Sequence, residues 1–148
     1  MMTIEERKEQ ERKQKEWVKA RLNCTIKAVY TCLVTNIRYD VNIYNESGIK
    51  PEFEVVDIDG IDGVIIRNTT SNNYAGKDYV TVRFKDSCLE ISRNEKREFT
   101  VKPKWDQAAL ECKLLVENDN DAPLSYPQIS QKAIGGLLFK GPDYPPTI

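Results

Sequence analysis

The chain contains no histidine, which removes the one side chain whose ordinary pKa lies near neutrality. Nucleophilic arrangements of the Ser/His/Asp or Cys/His kind are therefore excluded. There is no Cys-X-X-Cys pair either, so no ligand set for structural zinc can be assembled. Charge of one sign is not in excess: 22 Lys and Arg face 23 Asp and Glu, for a net charge of −1. Such a balance gives no overall field to gather nucleic acid or an anionic membrane surface. Long apolar runs are missing. The longest lie around Cys32–Val34 and Gly63–Ile66, far short of the roughly 20 residues that a membrane-crossing helix needs. Residues 1–22 lack the apolar middle region of a secretory leader, which predicts intracellular synthesis. Gly135-Gly136 has neither the lysine nor the spacing of a phosphate-binding loop and is read as a kink in a strand. No enzymatic signature emerges, and the predicted protein is not an enzyme.

What is present begins with an abrupt change of character at Asn23. Before it, Glu, Lys, Arg and Gln dominate; after it come Val, Ile, Thr and Tyr. Thr3-Ile4-Glu5-Glu6 fits a capping box, in which the Thr3 hydroxyl and the Glu6 carboxylate each satisfy a backbone N–H at a helix start. The pairs Glu9/Lys13 and Glu11/Lys15 are favourable at i, i+4 spacing. The predicted helix, Thr3–Leu22, has no heptad seam, because steps of three or four from Ile4 meet Lys8, Glu11 and Gln14 before Val18. Apolar residues gather only at its end, in Trp17, Val18, Ala20 and Leu22. That end is expected to dock on the body while the first turns project.

From Cys24 onward the pattern reads as strands. Ala108–Glu117 alternates most clearly, with Ala108, Leu110, Cys112, Leu114 and Val116 on one side, and Tyr79–Phe84 alternates likewise. Further strands are predicted at Thr25–Val34, Ile37–Tyr44, Phe53–Ile58, Val64–Asn68, Cys88–Ser92, Glu98–Lys102 and Gly136–Phe139. Turn signals separate them, and no helical pattern supplies parallel crossovers. The predicted fold is all-β, an antiparallel β-sandwich of immunoglobulin-like or jelly-roll-like type. It carries the charged helix as an arm over residues 1–22, a body over 23–140 and an extended proline-rich tail over 141–148.

Four cysteines are present, Cys24, Cys32, Cys88 and Cys112. If Cys24 and Cys32 share a strand they lie about 26 Å apart and cannot bond to each other. A pair between strands, such as Cys88 with Cys112, stays open, and buried free thiols are the expected state. Sequons begin at Asn23, Asn45 and Asn68; without a leader they are read as chance matches in an Asn- and Thr-rich chain.

Two acidic stretches are candidates for calcium. Asp57, Asp59 and Asp62 lie in Asp57-Ile58-Asp59-Gly60-Ile61-Asp62-Gly63, where alternate carboxylates in a loop can converge on one ion. The register departs from an EF-hand loop, and the competing reading is a hairpin whose Asp-Gly pairs supply positive φ. Asp119 and Asp121 lie in Glu117-Asn118-Asp119-Asn120-Asp121-Ala122-Pro123. This run resembles the calcium-binding linker of cadherins, with Asp121 inserted before Ala122-Pro123, and the resemblance implies calcium ligands at one end of a sandwich. A polar turn is the alternative.

The basic group Arg93, Lys96, Arg97, Lys102 and Lys104 with Trp105 is broken up by Glu95, Glu98 and Asp106, so no nucleic-acid partner is predicted. The functional expectation is a structural or adaptor protein acting by protein contact, as a neighbour-binding subunit of a larger assembly such as a virion. Trp17, Val18, Leu22 and Tyr144 are its partner-binding residues. The alternatives are a calcium-dependent or small-ligand recognition module and an inhibitor of a partner enzyme.

Overall fold

The computed structural model describes residues 1–58, 60, 63–69, 78–117 and 123–139. The body is a two-layer α+β arrangement: one antiparallel sheet with two helices packed on a single face. Helix α1 spans Ile4–Leu22 and α2 spans Ile26–Glu46. Six strands follow, β1 (Phe53–Asp57), β2 (Gly63–Asn68), β3 (Tyr79–Phe84), β4 (Leu89–Arg93), β5 (Lys96–Asp106) and β6 (Glu111–Val116). Helix α3, Tyr126–Leu138, comes last. A single sheet replaces the predicted two-sheet sandwich, and the second layer is helical.

The largest correction is α2, which takes the place of predicted strands at Thr25–Val34 and Ile37–Tyr44. Its β-branched residues suggest a strand, but the buried ones obey a helical period. Val29, Leu33, Val34, Ile37, Val41 and Tyr44 form one stripe, and burial of that stripe outweighs a propensity penalty of a few tenths of a kcal/mol per residue. Thr25 caps the start, its hydroxyl accepting from the Ala28 N–H at 3.2 Å. In the last turn of α2, Asn45 mimics a strand neighbour. Its Nδ2 donates to the Phe53 carbonyl at 2.8 Å while the Phe53 N–H donates to its Oδ1 at 3.0 Å.

The predicted strand Gly136–Phe139 lies instead in the last turn of α3 and just beyond it. Ser125 and Gln128 form a capping box at the helix start, with a proline in the first turn. Ile129, Ala133, Ile134, Leu137 and Leu138 make the buried stripe. Gly136 is a place of close approach, not a strand kink: a Cβ there would lie 2.8 Å from Arg93 Nη1. Arg93 uses that space, its Nη2 donating to the Gly136 carbonyl at 3.2 Å and pairing with Asp78 at 3.3 Å. A cation thus meets the negative end of the α3 dipole.

The strands run as a meander in chain order. Register pairs Val55↔Ile66, Ile66↔Val80, Val82↔Ile91, Leu89↔Val101 and Val101↔Val116 keep one apolar set on the helix-covered face. The β4–β5 turn has Asn94 at φ 54° and Glu95 at φ 70°, the signature of a two-residue primed turn. Glu95 is held there as the acceptor for the Tyr79 hydroxyl at 2.7 Å. In β5–β6 the strand begins at Glu111, three residues later than Ala108, because Leu110 adopts φ 52° in the turn.

At Gly63 the backbones of β2 and β3 leave no room for a side chain. A Cβ at that position would lie 2.9 Å from the Val82 carbonyl oxygen, and backbone cannot swing aside as a side-chain tip can. Gly63→Ala is expected to cost about 1–3 kcal/mol of unfolding free energy, measured by urea titration; an unchanged midpoint contradicts this packing.

Candidate functional site: the helical arm and its elbow

Helix α1 has no buried residue. Charge dominates its first four turns and holds them together. Thr3 caps the start by accepting from the Glu6 N–H at 3.1 Å. Arg12 bridges Glu9 and Glu16 one turn away on either side, and its guanidinium holds the Glu9 carboxyl below the usual range. Such i, i+3 and i, i+4 pairs stabilise exposed helices by a few tenths of a kcal/mol each. The charged turns Glu5–Glu16 run through solvent rather than packing on a core.

Only its C-terminal end is anchored. The Arg21 guanidinium carbon stands 5.4 Å from the centre of the Trp105 ring on β5, a cation–π contact. Two residues beyond α1, Cys24 is disulfide-bonded to Cys112 on β6. This corrects both cysteine expectations: Cys112 pairs with Cys24 and not with Cys88, while Cys32 is exposed and Cys88 is half-buried. The exclusion of Cys24–Cys32 holds for a different reason, since Cys32 lies inside α2. Trp105 and Cys112 are register partners, so the salt-bridged end of one hairpin receives both anchors. Lys113 and Asp106 pair across that hairpin at 2.8 Å, and this bond, with the Ala109 N–H, lowers the Asp106 pKa.

Of the predicted partner residues, Trp17 is half-buried and donates from Nε1 to Gln14 Oε1 at 2.8 Å, while Val18 and Leu22 are exposed. Tyr144 lies outside the described residues, as does the tail over 141–148. The elbow between α1 and α2 borders an open groove of about 1110 Å³, with Leu22, Ala28, Cys32, Leu114, Leu124 and Tyr126 in its walls. Burial first, and then the neighbouring Cys32 sulfur, pushes Tyr126 up to about 12, so its hydroxyl stays protonated throughout the physiological range.

Of the calcium candidates, Asp57 alone lies among the described residues. Asp57 is exposed and paired with Arg38 Nη2 at 3.1 Å; Asp59, Asp62, Asp119 and Asp121 lie outside the described residues. Among the described residues no group of three or more His, Cys, Asp or Glu side chains is placed to hold a metal. The basic group is also dispersed: Arg93 caps α3, and Trp105 is covered by Arg21. Among the described residues, no helix is long and apolar enough to cross a membrane.

The anchored elbow was beyond reach of sequence reading because it depends on α2 being helical. The one available signal was the N-cap threonine following Asn23-Cys24. In comparisons with family models, curated proteins and solved structures, nothing matches the chain.

Proposed function

We propose that the protein is a non-enzymatic structural or adaptor component that acts by protein contact, with α1 as its arm. The observation that carries this reading is the contrast within α1: a 19-residue helix with no buried residue is nevertheless fixed to the sheet at one end by a disulfide and a stacked arginine. The charged turns before Trp17 bury nothing against the body, so their fixed direction serves something beyond that body. The disulfide also favours a working compartment where such bonds persist over the reducing cytosol.

The test is the solution mass by light scattering, with and without residues 1–22. The full chain is expected to form an oligomer that grows with concentration, and the truncated chain is expected to remain folded by circular dichroism and to lose most of the association. Equal masses for both forms contradict the reading.

A further inference from the structure

Away from the elbow, α2 and α3 diverge to leave an apolar cleft of about 410 Å³. Ile43 and Ile49 from the α2 side and Phe139 from the α3 side line it, and they remain 52%, 44% and 51% exposed. Ten large apolar side chains are exposed among the described residues, and three of them line this one depression. The remainder of the wall is Tyr44, Ile134 and Leu138. Asp40 stands at its edge, one turn before Ile43 on α2. Its Oδ2 accepts from Ser130 Oγ at 2.6 Å and from Asn36 Nδ2 at 2.9 Å. Both donors fall on the same oxygen, and among the described residues no cation pairs with this carboxylate.

The complementary surface is at the start of α1. Met2 and Ile4 are 50% and 73% exposed, an apolar knob on an otherwise charged helix. One turn further on, at i+3 and i+4 from Ile4, come Arg7 and Lys8, neither of which has a carboxylate partner among the described residues. The spacings match in reverse. Ile4 is followed by its cations one turn toward the C-terminus, while Ile43 is preceded by its carboxylate one turn toward the N-terminus. Two helices laid antiparallel therefore bring apolar to apolar and cation to carboxylate together.

We infer that the cleft between α2 and α3 receives the start of α1 from a second copy of the chain, with Ile4 against Ile43 and Arg7 or Lys8 against Asp40. This rests on the arm reading above and names the arm's partner. Because knob and cleft are different surfaces, a single contact leaves one knob and one cleft open, and copies close either as a twofold dimer by exchanging arms or as rings and open chains.

The experiment is a complementation by light scattering. Ile4→Asp leaves the cleft intact, and Ile43→Asp leaves the knob intact. Each variant alone is expected to be monomeric, with association weakened at least tenfold, and an equimolar mixture is expected to form a 1:1 dimer that grows no further. Asp40→Asn, which keeps an oxygen for Ser130 and Asn36, is expected to weaken association several-fold and to reduce its salt dependence. Circular dichroism confirms folding, with Ile49→Asp as the second cleft variant if Ile43→Asp misfolds. A mixture that stays monomeric overturns the inference. If deleting residues 1–22 dissolves the oligomer while both cleft variants assemble normally, the arm reading stands and the cleft assignment falls. If the full chain is monomeric and deleting residues 140–148 opens the cleft to an apolar dye, the occupant is the chain's own C-terminal segment, and the inference falls with it.

Discussion

Replacing Cys24 and Cys112 together by serine is expected to lower the unfolding free energy by about 4–5 kcal/mol. The magnitude follows from the loop that the bond closes: the two cysteines are 88 residues apart, and removing the cross-link returns that loop's conformational freedom to the unfolded chain, worth about 4.6 kcal/mol by the chain-entropy relation. Domains of this size are stable by only about 5–15 kcal/mol, so the doubly substituted protein is expected to be marginal at 37 °C. Guanidinium titration of the oxidised, reduced and substituted forms measures the effect. A local consequence accompanies the global one, because Arg21 stacks on Trp105 three residues before the bond. Without the bond the elbow loses its covalent anchor and keeps that contact, and trypsin is expected to cut at Lys19 and Arg21 faster than it cuts the body. A difference under 1 kcal/mol between oxidised and reduced protein, with unchanged cleavage, contradicts the clamp.

Phe99→Ala is the second large effect, expected at about 3–5 kcal/mol. Phe99 is 1% exposed and pairs in register with Ile91 across β4 and β5. Its ring lies under α3, where Lys132 Nζ is 5.2 Å from the ring centre. Truncation leaves a void between sheet and helix that neither a hydrogen-bonded strand nor a helix clasped to α2 can collapse to fill. Val18→Ala on α1 is the matched control. It removes apolar atoms from a residue that is 40% exposed and is expected to change stability by less than about 0.5 kcal/mol. Urea midpoints of both variants decide the matter, and a loss below about 1.5 kcal/mol for Phe99→Ala would place the core elsewhere.

The parts of the fold that sequence reading reaches are those whose signal is local. The capped charged helix, the Asp-Gly hairpin around Gly60 and the alternation at Tyr79–Phe84 are each visible within a dozen residues, and all appear at nearly the predicted bounds. Helix α2 is missed because Thr, Val and Ile carry strand propensity, and the spacing of Val29, Leu33, Ile37, Val41 and Tyr44 becomes decisive only once its period is counted over five turns. In α3 the Gly135-Gly136 pair hides the stripe of Ile129, Ala133, Ile134 and Leu137, although Ser125 and Gln128 announce its start. The disulfide and the cleft are illegible for a stronger reason. Cys24 meets Cys112, and Ile43 meets Phe139, only after the sheet has been laid between them.

The meander order of the strands has a kinetic consequence. Every strand pairs with the one just made, so the sheet can grow by successive hairpins with small loops to close at each step. Two ties that span much of the chain, Cys24 to Cys112 and Asp40 to Ser130, join elements from before the sheet to elements at or beyond its end, and closing either before the ribbon between them has formed costs the entropy of a long loop. Folding is therefore expected to proceed from the middle outward, with the elbow that aims the arm among the last features protected in pulsed hydrogen exchange.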